Sequence, residues 1–387
     1  MCSLYCSKIS WTFTFKRLSS FAKEVSKACL LLLSSHDYIL KLIVWKMIFH
    51  ATWKTFRSDF DHILQNIKRH NDLIKNQANL IHFGKTQEAF EKAHEERSKA
   101  EEERRSRRET ENRRRYLAVL DWLSPAPYEQ DLERYSLVRA ACPGTGRWLL
   151  DDDRFKFWFD PDYCSTRLLW ISGKPGAGKT MLASLIVEES QLMPKIKVGY
   201  FFCKYRDERQ NTFLAIAKGI LAQILQQNRE LLVPFLYEEM CTRGGPTLRT
   251  KALAKDLLET SLKICDKVYL IIDGIDECDR DERKVIVSWF CELVESLPIN
   301  QAGKIRCLFI SQDDGCARRD FSEVPSLKIT TADNSHDIRM YCVARGLELQ
   351  HKFRLTDERM NEIVDQTVQR ADGTFYYVLL HLSLLLR

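Results

Sequence analysis

A glycine-rich segment from Gly173 to Thr180 reads Gly-Lys-Pro-Gly-Ala-Gly-Lys-Thr and matches the phosphate-loop pattern G-x-x-x-x-G-K-[ST]. In such a loop the glycines let backbone N–H groups turn toward a phosphate chain, and the N-terminus of the following helix adds its dipole. We expect Lys179 to reach the β- and γ-phosphates and the Thr180 hydroxyl to ligate Mg²⁺. The candidate nucleotide-binding residues of this loop are Gly173, Lys174, Pro175, Gly176, Ala177, Gly178, Lys179 and Thr180.

A second group of candidate residues follows an apolar run, Val268 to Ile272, which ends in Asp-Gly-Ile-Asp-Glu. An acid at the end of a buried strand holds Mg²⁺ in phosphate-binding folds, so Asp273 is the expected metal residue beside Thr180. Asp276 and Glu277 follow on the turn, where either carboxylate could polarise an attacking water. The two side-chain lengths favour neither, so the catalytic base is assigned to them jointly.

A third polar position is expected where the strand 306–310 ends, at Ser311 and Gln312. Gln312 either hydrogen-bonds to the γ-phosphate or the attacking water, or is a polar strand end without a catalytic role. The sequence holds no N-K-x-D guanine motif, which favours adenine as the base. The expected cofactors are therefore ATP or ADP together with Mg²⁺.

These motifs lie on a part of the chain that alternates short apolar runs with helical patterns from Leu168 onward. The strand candidates are residues 168–172, 197–203, 267–273, 304–311 and 327–330. The alternation predicts an α/β fold, in which a P-loop NTPase parallel sheet carries helices on both faces. An α-helical domain is expected before the sheet and a short helical segment after it.

The N-terminal part of the chain changes character along its length. Apolar residues between Phe60 and Ile81 recur at helical spacing and predict an amphipathic helix. Residues 88–115 hold ten Lys or Arg and nine Glu, which is typical of a solvated helix rather than of a nuclear signal or an RNA patch. The predicted domains are an N-terminal helical domain (1–83), a charged helical connector (84–116), a linker helix with the Thr145–Leu150 segment (117–165), the nucleotide-binding domain (166–332) and a helical segment (333–387).

The net charge of +6 is concentrated in residues 1–57, which hold nine Lys or Arg against two acids. The rest of the chain is nearly neutral, so charge alone does not indicate nucleic-acid binding, and none is expected. A basic, apolar N-terminus fits either an anionic membrane surface or a helical bundle with lysines at its rim. Thirteen scattered cysteines without a C-x-x-C pair indicate a reducing compartment, and we expect a cytoplasmic location.

Taken together, these segments resemble the NACHT-type nucleotide-binding domains of NLR-like, STAND-class signalling proteins, and most of all the fungal, nephrocystin-like group. The resemblance covers roughly residues 40–387. Besides the two motifs above, it rests on residues 53–83, Thr-Gly-Arg-Trp-Leu-Leu at 145–150, Tyr-Phe-Phe-Cys-Lys at 200–204, Ser-Gln-Asp-Asp-Gly at 311–315 and Ala-Asp-Gly-Thr-Phe at 371–375.

The resemblance implies an ATP/ADP switch that is closed with ADP and that opens and self-associates with ATP, with slow Mg²⁺-dependent hydrolysis. It implies a homo-oligomer in the ATP state and an unidentified downstream protein. It also implies that the strand ending at Gln312 lies between the two motif-bearing strands. Thr145 and Arg147 are placed beside the adenine or ribose, with a packing turn around Trp148 as the alternative interpretation of that segment.

Two departures from the family pattern bear on function. Many members have Arg where this chain has Gln312, and Arg318 or Arg319 is the candidate substitute. Members usually continue into a winged-helix region and sensor repeats, so a chain ending at Arg387 is expected to be a truncated member. Two other functions stay open: an interaction scaffold that binds nucleotide without turnover, and a conventional P-loop phosphotransferase.

Overall fold

The computed structural model describes residues 38–163, 165–243 and 245–385, together with Lys23 and Lys27. The chain divides into two compact units, residues 1–104 and residues 105–387. Most of the expectations for residues 1–57, including the anionic membrane surface, fall on residues outside the described part. Within the described part, none of the helices has the length and apolar character needed to cross a membrane.

One helix, α1 (Tyr38–Leu123), contains the amphipathic stretch, the charged stretch and the apolar residues 116–123. The sequence predicted that a linker helix separate from the charged connector begins near residue 117 and includes the apolar residues up to 123. These residues are instead the last turns of α1, since no proline precedes Pro125 and Gly84 is accommodated within the helix. Glu111 pairs with Arg114 at 3.0 Å and Arg115 at 2.9 Å, as expected for a solvated helix with charges three and four residues apart.

Five parallel strands form the sheet of the second unit, in the order β2-β3-β4-β1-β5. The strands are β1 (Leu168–Gly173), β2 (Lys197–Phe202), β3 (Val268–Asp273), β4 (Ile305–Gln312) and β5 (Ser326–Lys328). All five predicted strands are present, with ends that shift by one or two residues. Strand β4 lies between β1 and β3, which confirms the strand order that the resemblance implied.

Helices cover both faces of the sheet, as the sequence predicted. They are α2 (Tyr128–Ala140), α3 (Trp148–Asp151), α4 (Asp153–Phe159), α5 (Lys179–Gln191), α6 (Phe213–Gln227), α7 (Arg229–Arg243), α8 (Lys251–Ile264), α9 (Arg280–Glu295) and α10 (Ala317–Asp320). Alternate residues of β1 to β4 enter different cores: Trp170 packs with α6, α8 and α9, whereas Ile171 packs with α3, α4 and α5. These four strands are therefore buried on both sides, and their register is set by two cores at once. In β5 only Leu327 is buried.

Three helices follow the sheet: α11 (Thr331–Phe353), α12 (Asp357–Ala371) and α13 (Phe375–Leu385). They have a small core of their own, built around Ile338, Cys342, Val364 and Val378. A reciprocal capping box between Thr330 and Asp333 fixes the start of α11. The predicted C-terminal helical segment is thus three helices that pack on one another.

A buried arginine on β4 anchors the chain that leads into β1. Arg306 is 1% exposed, and its guanidinium donates to the carbonyl of Trp158 and, at 2.6 Å, to the carbonyl of Asp160. It also lies 5.2 Å from the ring centroid of Tyr269. The bond to Trp158 gives a partner to a buried carbonyl group.

Arg306→Leu should therefore lower the free energy of unfolding by about 1–3 kcal/mol, because it leaves the buried Trp158 carbonyl unpaired and removes the charge over Tyr269. Urea denaturation followed by tryptophan fluorescence measures this. Arg318→Leu is the matched control, since Arg318 is exposed and its bonds go to Asp313 at the surface. Equal destabilisation by the two changes would contradict the anchoring role.

Candidate functional site

A cavity of about 470 Å³ opens at the carboxyl ends of β1, β3 and β4, where parallel α/β sheets bind their ligands. It brings together the following residues that were predicted from the sequence: Thr145, Pro175, Gly176, Ala177, Gly178, Lys179, Thr180, Asp273, Asp276, Glu277 and Gln312. Part of the lining comes from the phosphate loop and the three acids. The rest is mostly apolar and comes from α2, the segment 145–148, α11 and α13.

The loop has a conformation that only glycine adopts without strain at two positions. Gly176 has a φ of +77° and Gly178 a φ of +88°. A Cβ atom on Gly176 would lie 2.9 Å from the Cβ of Tyr376, and one on Gly178 would lie 3.1 Å from the Phe375 ring. Gly178 is also the N-cap of α5, so the N-terminus of that helix opens into the cavity.

The Lys179 ammonium lies inside the loop and close to the acids. It donates to the carbonyl of Gly173 at 3.0 Å and to that of Lys174 at 2.8 Å. Burial lowers the pKa of Lys179, while the carboxylates of Asp276 and Asp273 act to raise it. This is a partly desolvated cation, held where an anionic oxygen in the loop would be within its reach.

Three candidate residues are not brought to the cavity. The exposed ammonium of Lys174 pairs with Asp372 at 2.7 Å, and Gly173 completes β1 beneath the loop. Arg147 points outward, with Glu189 as its ion-pair partner at 3.9 Å. Thr145 does line the cavity, and its hydroxyl donates to the Cys142 carbonyl at 2.9 Å. The segment 145–148 thus presents one predicted side chain to the cavity and turns the other away.

Asp273 is the most deeply buried acid of the site, with 4% of its surface exposed. Burial raises its pKa to about 7, against the lowering effects of the Thr180 hydroxyl and the Lys179 ammonium. Among the described residues, no cluster of three or more His, Cys, Asp or Glu could hold a metal by itself. Mg²⁺ needs only one or two protein ligands when water and phosphate supply the rest, so Thr180 and Asp273 fit this ion.

The two remaining acids are each tied to a different neighbouring segment. The backbone N–H of Gln312 donates to Asp276 Oδ1 at 3.0 Å, and the N–H of Tyr205 donates to Glu277 Oε2 at 3.0 Å. Each carboxylate keeps its second oxygen for another partner, and both side chains line the cavity. Arg318 and Arg319 do not line it: Arg318 bonds to Asp313, and Arg319 donates to the Cys316 sulfur.

Several lining residues were missed by motif reasoning because they come from the helices after the sheet. The Phe375 N–H donates to the Gly176 carbonyl at 2.8 Å, and Asn334 Nδ2 donates to the Ala177 carbonyl at 3.3 Å. The 371–375 segment had drawn attention only through the family resemblance. No pattern in the sequence indicated that Asn334 faces the phosphate loop.

Asp337, also on α11, holds the segment 145–148 in place. Its Oδ2 accepts from the Gly146 N–H at 2.8 Å and from the Trp148 indole N–H at 3.1 Å. Burial raises the pKa of Asp337, and the two donors act to lower it. Gly146 has a φ of +82°, and a Cβ atom there would lie 2.9 Å from the Leu182 side chain, so only glycine fits this turn.

Part of the chain is similar in sequence to known proteins. Residues 144–312 match the family model described as Nephrocystin 3, N-terminal. The vegetative incompatibility protein HET-E-1 of Podospora anserina is 32% identical over 142 residues, which cover 35% of this chain and 10% of that protein. This chain therefore matches about a tenth of the length of its curated relative.

Solved structures of low overall similarity also match. Cdc6p from Pyrobaculum aerophilum is 17% identical with a TM-score of 0.36, over 51% of this chain and 49% of that one. Drosophila ORC bound to DNA is 14% identical with a TM-score of 0.35, over 63% of this chain and 58% of that one. Residues 144–312, which carry the phosphate loop, the acid turn and four of the five strands, are thus similar to the N-terminal region of nephrocystin 3 and, in part, to HET-E-1.

Proposed function

We propose that this chain binds ATP and ADP with Mg²⁺ and hydrolyses ATP slowly, and that the bound nucleotide controls its conformation and self-association. One observation carries the proposal. The glycine loop with Lys179 and Thr180 meets Asp273, Asp276 and Glu277 in a single cavity at the carboxyl ends of three parallel strands. Phosphoryl transfer needs this set of groups: donors for the phosphates, oxygen ligands for a metal and a carboxylate for water.

Each residue has a distinct role in this proposal. The N–H groups of Gly176 to Thr180 and the Lys179 ammonium bind the phosphate chain, and Thr180 and Asp273 hold Mg²⁺. The bound Mg²⁺ would neutralise charge on the phosphate oxygens. Asp276 or Glu277 accepts a proton from the attacking water through the carboxylate oxygen that the backbone leaves free.

The contacts between the phosphate loop and the C-terminal helices support a switch. Phe375 and Asn334 hydrogen-bond to loop carbonyls, and Lys174 pairs with Asp372 at the start of the 372–375 turn. A phosphate group that changes the loop must therefore act on α11 and α13 as well. A signalling output, ATP-driven homo-oligomers and an unidentified protein partner are proposed from the resemblance to the NACHT-type group.

Binding without turnover is the second candidate, and one observation favours it. Arg139 is the only arginine on the cavity wall in the part of the chain that the structure describes, and it is engaged by Glu188. Among the lining residues, the positive charge near the acids thus comes from Lys179 alone. A site with this composition fits slow or absent hydrolysis better than a rapid phosphotransferase.

Two proposals concern the chain outside the cavity. Association of residues 1–57 with an anionic membrane surface stays a prediction that rests on their charge of +7, counted as nine basic less two acidic residues. The expected cytoplasmic location is supported by free thiols: nine cysteines in the described part of the chain form no disulfide.

The two lysines of the phosphate loop test nucleotide binding directly. Lys179→Ala should weaken ATP binding by about 2–5 kcal/mol, because it removes a partly buried charge from the phosphate site. Lys174→Ala is the matched control and should leave the affinity within about threefold, since its ammonium is exposed and pairs with Asp372. Titration with a fluorescent ATP analogue measures both. Similar losses in the two variants would count against the assignment.

The raised pKa of Asp273, about 7, predicts how Mg²⁺-dependent binding varies with pH. Mg²⁺ binds the carboxylate, so a proton competes with it below that pKa, and the affinity for Mg²⁺ should fall by up to about tenfold per pH unit. Calorimetric titration of Mg²⁺ into the ADP complex between about pH 5.5 and 8.5 measures the slope. Asp273→Asn should abolish both the Mg²⁺ dependence and this slope, and a flat profile in the parent protein would refute the prediction.

Amide substitutions separate binding from hydrolysis. Glu277→Gln and Asp276→Asn each keep an oxygen that can accept the N–H of Tyr205 or Gln312, but remove the proton acceptor. Loss of the general base should slow single-turnover hydrolysis about 10²–10⁴-fold while ATP affinity is retained. Light scattering should show the double variant accumulating as ATP-loaded oligomer. Hydrolysis by the double variant at the parental rate would remove both acids from the mechanism.

A further inference from the structure

Two acceptor groups on one face of α11 lie at the cavity, three residues apart. Asn334 is 2% exposed and Asp337 is 5% exposed, and both line the cavity. The Asn334 amide donates to the carbonyls of Ala177 and Gly373, yet its Oδ1 is buried without a hydrogen-bond partner. A buried acceptor without a partner is costly in a folded protein, and a ligand that brings a donor removes that cost.

Asp337 also has an acceptor without a hydrogen-bond partner, but this is true of only one of its two carboxylate oxygens. Oδ2 accepts both the Gly146 N–H and the Trp148 indole N–H, while Oδ1 accepts no hydrogen bond from the residues that the structure describes. A carboxylate has about four lone-pair directions, so half of the acceptor capacity of Asp337 is left for a ligand.

The surroundings of this carboxylate match a flat, aromatic ligand. The same cavity is lined by the apolar and aromatic side chains of Val138, Leu182, Tyr341, Phe375 and Leu379. Apolar and aromatic side chains with a few polar groups between them are typical of sites that bind a heterocyclic base. A ribose carries two hydroxyl groups and would leave more of its polar surface unpaired against these side chains than a heterocyclic base would.

We propose that Asp337 Oδ1 accepts a hydrogen bond from the exocyclic amino group of the adenine base, which makes Asp337 a base-selecting residue. The inference rests on the proposed nucleotide site, with the phosphates on the loop 173–180 and the base against the apolar side chains that line the same cavity as Asp337. Adenine carries an amino donor at position 6, whereas guanine carries the acceptor O6 there. A carboxylate attracts the amino group of adenine and repels the O6 atom of guanine.

The test measures affinity for a set of triphosphates rather than for ATP alone. The parent protein should bind ATP about 10- to 100-fold more tightly than purine riboside triphosphate, which has hydrogen in place of the amino group, because a bond to a charged acceptor is lost. Asp337→Asn keeps an oxygen for Gly146 and Trp148 but presents an N–H donor to the base. This variant should lose the preference for ATP over the purine analogue and gain affinity for GTP relative to ATP.

Asp365→Asn is the matched control, since Asp365 is exposed on α12 and pairs with Arg339. It should leave every affinity ratio unchanged. A ratio of ATP to purine analogue within about threefold in the parent protein would overturn the inference, and this measurement does not depend on any variant folding. An unchanged ratio in Asp337→Asn, or a change seen for 2′-deoxy-ATP instead of the purine analogue, would overturn it as well.

The same set of triphosphates distinguishes failure of this inference from failure of the proposed function. Tight binding of several triphosphates that Lys179→Ala abolishes, without discrimination at position 6 of the base, keeps the nucleotide site and rejects the role of Asp337. Absence of binding for every nucleotide would reject the site itself and the role of Asp337 with it.

Discussion

Parallel pairing of β1 with β4 and of β4 with β3 is the constraint on which the rest of the molecule depends. In this register Gly173 lies opposite Gln312, and Asp273 lies opposite Ile310. The ends of the three strands therefore deliver the phosphate loop, the acid turn and the third polar position to one edge. A slip of one residue would reverse which side chains enter each of the two cores, so the same packing that stabilises the sheet also fixes the site.

The sheet edge by itself forms only half of the cavity. Asn334, Asp337 and Phe375 come from the helices that follow the sheet, and they bond to the loop or to the segment that precedes β1. Apart from the Trp148 indole N–H, these partners are backbone groups, which every residue provides whatever its side chain. The C-terminal helices are therefore part of the binding structure, and a change in the loop has a direct route to them.

The features that the sequence predicted are those with a local signature. The loop 173–180 combines a glycine pattern with a strand before it and a helix after it, and the strand order followed from the family resemblance. The continuity of α1 was missed because a change from apolar to charged composition is not a break in hydrogen bonding. The outward direction of Arg147 and the role of Asp337 depend on how distant segments pack, so no window of sequence contains them.

The bond between Gly146 and Asp337 joins residues that are 191 positions apart in the chain. Because α11 follows the sheet in the chain, it leaves the ribosome after the phosphate loop, the acid turn and all five strands. N-terminal parts of a chain generally fold first, and contacts of long sequence separation form late. The growing chain therefore has the edge that carries the phosphate loop before it has the part of the cavity wall that α11 and α13 contribute.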